Sequence, residues 1–465
     1  MIRTKFFARS ALGLVMAMGL AAGAASPAAA KDKEKDKGKP QEMKIAPSKA
    51  YIPIYVAAKK ALDEGAKRAD VVAARQKVTT AQAAYNNAAT KKAKADAQLA
   101  IDAGNKELAA LLPAERTAVD TAVAAATTPD DKYLSGGLLL NLGNLGFDKQ
   151  AQRQGVRMQI DSGKLPAADV PKYNAIYGQL SMELKDYAAA RPALQAALDG
   201  GYTQGDVAIL LADAYIKDGQ QAAGLKVLQD AAAKSGAATP SDWLRYGIAV
   251  SYKAKLANEA SWFSNNLVTN YPTTENWSLA IAVVRDLRGY SGQDQIDLLR
   301  LMERTKSFME ERDYVEYIQA ADPRRLPGEA LKIINAGLAA GKLNGADQFV
   351  SDAKAQASGR IAADKASLPG MDKDARAANS TAATAQAAGD AYLSYDDAAK
   401  AEEMYKLALG KPGVDANRVQ LRLGIVQADQ GKWADAIASF DKVTDTRAPI
   451  AQLWAAYAKG KAAGK

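Results

Sequence analysis

The feature that most constrains this chain is an internal repeat of about 34 residues. Small or apolar residues return at intervals of 34, 35 and 34 positions, at Gly178, Ala212, Gly247 and Ile281. Intervals of 35 and 34 return near the C-terminus, at Gly389, Gly424 and Ala458. A repeat of this length is typically one supersecondary unit that cannot bury its apolar face alone. The spacing therefore predicts a stack of similar units.

Within the repeats, a small residue is followed one helical turn later by a large apolar one, as in Ala190 then Leu194, Gly224 then Leu228, Ala401 then Tyr405, and Ala436 then Phe440. The small residue lets a neighbouring helix approach closely, and the large one fills the space beside it. Three tryptophans share another register position, so we expect them, with Trp433, to pack in the core: Trp243, Trp277 and Trp454. Trp262 precedes the core residue Phe263 and is expected toward the exposed side of its helix.

Composition indicates an all-α fold. Hydrophobic residues make up 48% of the 465 residues but aromatic residues only 7%, and alanine dominates. Small, helix-favouring side chains at this density suit closely packed helices. No sustained alternation of β-branched and polar residues indicates a sheet.

The pattern resembles the tetratricopeptide repeat, a helix-turn-helix unit of 34 residues. The residues that carry the resemblance are Tyr177-Gly178 and Leu423-Gly424 in the first helix, Gly219 and Gly431 in the turn, Tyr187 and Trp433 at the start of the second helix, and Ala190, Ala401 and Ala436 within it. The resemblance implies a right-handed superhelical solenoid of helix pairs. It also implies a concave groove, lined by the first helix of each pair, that binds a protein segment.

The residue inventory argues against the commonest catalytic sites. The chain has no Cys and no His, so it lacks thiolate nucleophiles, Ser-His-Asp triads and the commonest zinc ligand. The densest carboxylate groups are Glu310-Glu311-Arg312-Asp313, Asp372-Lys373-Asp374 and Asp396-Asp397, which we interpret as solvated helix faces and helix starts. The glycines of Asn141-Leu142-Gly143-Asn144-Leu145-Gly146 lack the Lys-Ser/Thr of a phosphate-binding loop. We therefore predict a chain that is not an enzyme and needs no metal or cofactor.

The N-terminus is typical of a secretory signal. Arg3, Lys5 and Arg9 precede a short apolar stretch, and Ala28-Ala29-Ala30 fits a signal peptidase site near Ala30. We predict a signal peptide over 1–30 and a periplasmic or secreted protein without a transmembrane segment after cleavage. The three basic residues removed with the signal lower the formal charge from +9 to +6, which does not favour nucleic acid as a partner.

The rest of the chain divides by composition. We predict a disordered, charged linker at 31–47, an N-terminal helix pair with an elongated helical hairpin at 48–130, repeat blocks at 131–290 and 381–465, and irregular helical pairs at 291–380. The first pair is expected at Ala50–Leu62 and Gly65–Ala74, and the hairpin over 66–126 is either a partner-binding arm or a spacer. Pro369-Gly370 is expected to form a loop between two helices, and 291–380 either continues the solenoid or contains a hinge between the repeat blocks.

The repeat register also predicts which residues line the groove. These candidate partner-binding residues are Lys172, Gln179, Glu183, Asp213, Lys217, Tyr252, Arg285, Arg418 and Asp429. Family members that clamp a C-terminal carboxylate use Lys and Asn where this chain has Ala175 and Gln179, so that clamp is not expected. Because the candidate residues are mixed in sign, we expect a polar or zwitterionic protein partner, bound by a scaffold or adaptor in a cell-envelope assembly. The alternative is a scaffold for polysaccharide export or cell-wall processing that binds carbohydrate through exposed Tyr and Trp.

Overall fold

A computed structural model describes residues 45–202, 204–290 and 292–464. The regular secondary structure in these ranges consists of α-helices and short 3₁₀ segments, and no strand occurs in them, which confirms the all-α fold class. The predicted signal peptide and all but the last residues of the predicted linker lie outside the described residues. The right-handed superhelical path stays a prediction.

The helices are, in chain order, α1 Tyr51–Gly65, α2 Ala69–Asn87, α3 Lys91–Leu111, α4 Pro113–Ala125, α5 Pro129–Gly146, α6 Lys149–Asp161, α7 Val170–Glu183, α8 Tyr187–Asp199, α9 Val207–Lys217, α10 Gln221–Ser235, α11 Ser241–Lys253, α12 Ala257–Asn270, α13 Thr274–Arg288, α14 Gly292–Arg304, α15 Glu311–Ala321, α16 Pro327–Ala339, α17 Gln348–Arg376, α18 Ala382–Ser394, α19 Ala398–Leu409, α20 Ala416–Asp429, α21 Trp433–Phe440 and α22 Ala448–Ala462. Most consecutive helices pack against each other.

One glycine contact explains why the repeats are so regular. The glycine in the first helix of a pair lies against a large side chain sixteen residues later in the second helix, in the pairs Gly178–Leu194, Gly247–Phe263, Gly389–Tyr405 and Gly424–Phe440. A methyl group on Gly247 would lie 2.5 Å from Phe263 Cδ1, far inside van der Waals contact. Each pair therefore needs hydrogen at the first position and a large side chain at the second.

Helices α5 and α6 pack through glycines in a different register. A Cβ on Gly155 would lie 2.5 Å from the carbonyl oxygen of Gly136, and one on Gly143 would lie 2.6 Å from the backbone nitrogen of Gln152. The glycines of 141–146 are thus part of helix α5. They bring the two backbones together.

The first helix pair differs from the sequence prediction. Helix α1 packs against α4, and the intervening helices α2 and α3 pack against each other as an inserted hairpin. The prediction of a helix over Gly65–Ala74 was wrong, because a turn follows α1 and α2 begins at Ala69. Arg68 in that turn reaches Glu115 on α4 at 3.1 Å, which ties the base of the hairpin to the α1–α4 pair.

Helix α17 is continuous through Pro369, so the predicted Pro369-Gly370 loop was wrong. Contacts from α18 and the residue after it hold the helix at this point. The Tyr392 hydroxyl donates to the Leu368 carbonyl at 3.3 Å, and the Tyr395 hydroxyl donates to the Asp364 carboxylate at 2.7 Å. These contacts offset the hydrogen bond that proline cannot make inside a helix.

The chain forms two compact units, with the division after Leu228, inside α10. We call residues up to Leu228 the first unit and residues from Gln229 the second unit. The largest core cluster of the second unit joins α13–α17 to α20–α22, so residues far apart in sequence share it. No helix in the described ranges is long and apolar enough to span a bilayer.

Candidate functional site

The first unit keeps several predicted groove residues near solvent on α7. Lys172 is half-buried, and Gln179 is half-buried beside Glu183. The Gln179 amide donates to the Glu183 carboxylate at 3.4 Å, and Lys149 on α6 pairs with the same carboxylate at 3.0 Å. These side chains interact with near neighbours and are still accessible from one face of the helix.

Helix α9 continues this pattern one repeat later. Asp213 is buried, whereas Lys217 is exposed and lies one turn along the helix. Their charged groups pair at 2.6 Å. Lys217 therefore lies at the surface with its ammonium group paired to Asp213.

In the second unit, Tyr252 and Arg285 have different environments. Tyr252 is exposed, and its hydroxyl donates to Asp286 at 3.3 Å. Arg285 is only 8% exposed and pairs with Glu316 on α15 at 2.7 Å. The expectation that Arg285 faces solvent was wrong, because packing of α15 beside α13 covers its guanidinium.

Arg418 is half-buried and Asp429 is exposed, and both residues on α20 already have charged partners within the second unit. Arg418 pairs with Asp294 at 3.3 Å, and Asp429 accepts two hydrogen bonds from Arg304, of 3.1 and 2.9 Å. Asp294 and Arg304 both belong to α14. Helix α14 thus supplies ion-pair partners to two residues that the repeat register assigns to the groove. Both residues were predicted to contact a bound partner, and in the structure they pair with α14.

Helix α22 and the residues just before it also contact α14 and the segment that precedes α14. The Trp454 indole donates to the Asp297 carbonyl at 2.8 Å, and the Tyr290 hydroxyl donates to the Thr446 carbonyl at 2.9 Å. Arg447, just before α22, pairs with Asp294 at 2.7 Å. The C-terminal repeats are therefore anchored on α14 through several independent contacts.

A buried ionic network lies at the centre of this contact. Arg300 on α14 is fully buried and forms a bidentate salt bridge with Glu329. Its Nε and Nη2 atoms each donate to one carboxylate oxygen at 2.8 Å. It also donates to Asp297 at 2.8 Å, and the Tyr317 hydroxyl donates to Glu329 at 2.6 Å. Burial alone would raise the pKa of Glu329, but Arg300 and Tyr317 lower it to about 2. The carboxylate is thus held ionised.

The network continues to the C-terminal repeats through Arg422. This buried guanidinium donates to both oxygens of Asp390, at 2.8 and 2.7 Å, and to the Gln293 carbonyl at 2.9 Å. Tyr405, the large side chain that packs against Gly389, donates to Asp390 at 2.8 Å. Burial would lower the pKa of Arg422, but Asp297 and Asp390 raise it well above its usual range. Removing one partner from such a network leaves a buried charge uncompensated, which is strongly destabilising.

The ionic network around Arg300 and Arg422 was not predicted from the sequence. Arg422 stands two residues before Gly424, at a position that looks like any other polar place in the repeat. A signal was present in part, since three acidic or basic residues recur through α14 at helical spacing, Asp294, Asp297 and Arg300, on a helix otherwise rich in leucine. A local pattern does not show that Asp294 and Asp297 pair with arginines more than a hundred residues away.

The tryptophans pack largely as expected. Trp277 and Trp454 are buried, and Trp433 is half-buried against Tyr457, with ring centroids 6.3 Å apart. Trp243 is half-buried, as is Trp262, whose ring meets Phe263 edge-on at 4.9 Å. The expectation of an exposed Trp262 is met only in part. Buried rings cannot stack on a sugar, so Trp277 and Trp454 lend no support to carbohydrate binding.

Two of the three dense carboxylate groups serve as helix starts, whereas Asp372-Lys373-Asp374 lies near the C-terminal end of α17, where Asp372 pairs with Arg376. Asp397 is the N-cap of α19 and accepts the Lys400 N–H at 3.0 Å, as predicted. Glu310 and Asp313 form a reciprocal cap at the start of α15. Within the part of the chain that the structure describes, no group of three or more acidic residues is arranged to hold a metal ion.

Comparison with known proteins gives fold-level similarities only. No protein-family model matches the chain, and no curated protein matches it. Among solved structures, a Naa15/Naa10 complex bound to HypK-THB aligns over 85% of this chain with 13% identity and a TM-score of 0.30, and the chain spans only 64% of the length of that relative. A human IFIT1 dimer with m7Gppp-AAAA aligns over 86% of this chain and 96% of its own, with 12% identity and a TM-score of 0.21. The APC/C hetero-tetramer Cut9-Hcn1 aligns over 89% of this chain and 85% of its own, with 13% identity and a TM-score of 0.19.

Similarities this remote do not transfer a partner or an activity. The helix pairs and their sixteen-residue contacts identify the chain as a helical-repeat protein on its own geometry. Repeat folds of this kind serve mainly as surfaces for other molecules.

Proposed function

We propose that this protein is an exported, non-catalytic scaffold that binds a protein segment along the first-helix face of α7 and α9. We call this surface the α7–α9 face and define it by Lys172, Gln179, Glu183 and Lys217. The observation that supports the proposal is their register: Gln179 follows Gly178 by one residue, and Glu183 and Lys217 each follow the small residue of their repeat by five. Consecutive repeats thus present polar side chains at equivalent places, as recognition of an extended segment requires.

The chemistry of the α7–α9 face favours a partner of mixed charge. It carries two lysines and one glutamate, with Gln179 able both to donate and to accept hydrogen bonds. Lysines at a solvent-exposed rim mainly affect the association rate and its salt dependence. Glu183 and Lys217 already pair with Lys149 and Asp213, so a segment with alternating acidic and polar residues would bind beside these pairs or exchange with them.

Site-specific photocrosslinking tests the proposal. A photoreactive amino acid replaces Gln179 in the full-length protein, expressed in cells that export it, and crosslinked adducts are identified by mass spectrometry. We expect one dominant protein adduct. We also expect Lys172→Glu together with Lys217→Glu to reduce its yield at least several-fold.

A matched variant guards against a general charge effect. Lys342 and Lys442 are exposed lysines in connecting segments of the second unit, so Lys342→Glu with Lys442→Glu makes the same charge change elsewhere. Their adduct yield should equal that of the unmodified protein. Equal yields from all three proteins, or no adduct from position 179, would show that the α7–α9 face is not the binding surface.

Export is part of the proposal and has a separate test. The sequence expectation is cleavage after Ala30, so the mature protein should begin at Lys31. N-terminal sequencing of protein recovered from the envelope fraction checks this. An intact Met1 on protein that stays inside the cell would contradict export without affecting the fold.

A further inference from the structure

A cleft of about 470 Å³ in the first unit lies where the inserted hairpin meets the repeats. It is formed by α1, α2 and α5 and is lined by Lys59, Leu62, Asp63, Ala66, Arg75, Asn141, Asn144 and Leu145. None of these residues belongs to the α7–α9 face, so the cleft is a separate feature. Its volume is in the range of small-molecule sites.

The cleft contains a half-buried arginine without an acidic partner. Arg75 on α2 donates through Nη1 to the Asn144 carbonyl at 2.7 Å and to the Leu145 carbonyl. Its guanidinium also stacks on the Phe147 ring, 4.8 Å from the centroid. Among the described residues no carboxylate pairs with it, and burial, with no acidic group opposing it, lowers the pKa of Arg75. The Nε and Nη2 donors remain for a ligand.

Two asparagines extend the set of donors. Asn144 accepts a hydrogen bond from Gln152 through Oδ1 at 3.1 Å, which leaves its amide nitrogen free to donate. Asn141 is exposed one turn earlier on α5, and no partner of its side chain is found in the described ranges. With Arg75, these amides place several N–H groups at one cleft.

The remaining lining residues limit what can bind. Leu62 and Leu145 are buried and form an apolar wall. Lys59 and Asp63 pair with each other at 3.0 Å and cancel in charge, so Arg75 leaves the cleft with one net positive charge. We propose that this cleft binds a carboxylate attached to a short aliphatic group, with the carboxylate on Arg75 and the aliphatic part against Leu62 and Leu145.

A purely structural role for Arg75 makes a different prediction. Arg75 meets the last carbonyls of α5, a favourable place for a cation on any protein. In that role its loss would lower stability and change no binding. Carboxylate binding instead requires the donors that the α5 carbonyls do not use.

Binding is measured on the full chain by saturation-transfer NMR at low ionic strength. One arm compares hexanoate with hexanamide, and a second compares blocked Gly-Glu-Gly with blocked Gly-Gln-Gly. We expect each carboxylate to bind about tenfold or more tightly than its amide, as charge-assisted pairing with arginine predicts. Tighter binding of hexanoate assigns the site to a free acid, and tighter binding of the acidic peptide assigns it to an acidic side chain.

Variants distinguish carboxylate binding in the cleft from a purely structural role of Arg75 at the C-terminal end of α5. Arg75→Gln should bring carboxylate binding down to the amide level. Asn141→Asp should weaken it several-fold, and because Asn141 is exposed this variant should fold normally. Asn86→Asp, an exposed position near the other end of α2, makes the same charge change outside the cleft and should bind like the unmodified protein. If neither carboxylate binds in preference to its amide, or if Asn141→Asp binds as Asn86→Asp does, the proposal is wrong.

Discussion

Lys172 in the first unit and Arg418 in the second occupy the same register position, six residues before the glycine of their repeat, and have different surroundings. Both side chains are half-buried, but Arg418 pairs with Asp294 on α14, 124 residues away in sequence, at 3.3 Å. The same holds five residues after the glycine, where Glu183 pairs with Lys149 of the neighbouring helix and Asp429 pairs with Arg304, 125 residues away in sequence. Register sets the direction of a side chain, and long-range packing decides whether its charged partner comes from a neighbouring helix or from one far away in the sequence.

Breaking the buried network should have the largest effect and should be confined to the second unit. Arg300→Met leaves Asp297 and Glu329 as buried carboxylates without their main partner. We expect the free energy of unfolding to fall by about 3–5 kcal/mol. Urea unfolding followed by circular dichroism measures it.

The control for this variant is Arg157→Met in the first unit. Arg157 forms an exposed pair with Asp161 at 2.8 Å, one turn away on α6. Exposed pairs of this kind contribute at most about 1 kcal/mol. If both arginine variants lose the same free energy of unfolding, the buried network of the second unit contributes no more to stability than an exposed ion pair.

The glycine pairs are common to both units and should respond alike. Gly178→Ala and Gly424→Ala each place a methyl group into the large side chain sixteen residues later. Overpacking of this kind costs about 1–3 kcal/mol. Thermal unfolding of the two variants should show losses of similar size.

Gly359→Ala is the matched control for the glycine pairs. Gly359 lies within α17, and a Cβ there would meet nothing within 4 Å. Alanine in an open helix position stabilises by about 0.5–1 kcal/mol relative to glycine. Destabilisation at Gly359 equal to that at Gly178 would mean that the close contact is not the cause.

Asp131 provides a pH-dependent test within the first unit. It accepts hydrogen bonds from the Ser48 N–H at 2.8 Å, the Ser48 hydroxyl at 3.0 Å and the Thr128 N–H at 3.1 Å. Burial would raise its pKa, but these bonds lower it to about 2, from an ordinary value of 3.8. Asp131→Asn should therefore cost about 1–3 kcal/mol near neutral pH, where the carboxylate is ionised.

The sign of the pH dependence follows from the lowered pKa. The stabilisation by Asp131 is fully present above about pH 4 and is lost as the pH falls toward 2, through the pKa of the folded state. The difference between Asp131→Asn and the unmodified protein should shrink over that range. Asp120→Asn, at an exposed position on α4, should show no such trend in the same unfolding series.

The smallest effect is expected at the position six residues before the repeat glycine, which Lys172 and Arg418 occupy. Lys172→Glu should change the free energy of unfolding by less than about 0.5 kcal/mol, as for most surface substitutions. Arg418→Glu places a carboxylate beside Asp294 and should cost on the order of 1 kcal/mol or more. Equal effects at the two positions would remove the distinction between the two units at this face.

The sequence was informative where contacts are local. The helix pairs, the small-residue positions and the cap at Asp397 were predictable because both partners lie within one repeat. The α1–α4 pairing and the closure of α14 on α20 were not, because nothing in a local pattern states which distant helix is its neighbour. Pro369 was misinterpreted because its helix is held by tyrosines on and just after the next helix, contacts that the Pro-Gly pair itself does not indicate.

The contacts between a glycine and the large side chain sixteen residues later affect how such a chain can grow by repeat duplication. Gly424 and Phe440 both lie within a segment shorter than one repeat, so duplication of that segment copies a complete, self-fitting interface. Arg422 and Asp297 are 125 residues apart, so no single-repeat duplication can carry both. The regular contacts can therefore multiply by copying, whereas the ionic closure of the second unit must arise afterwards, by separate substitutions in repeats already in place.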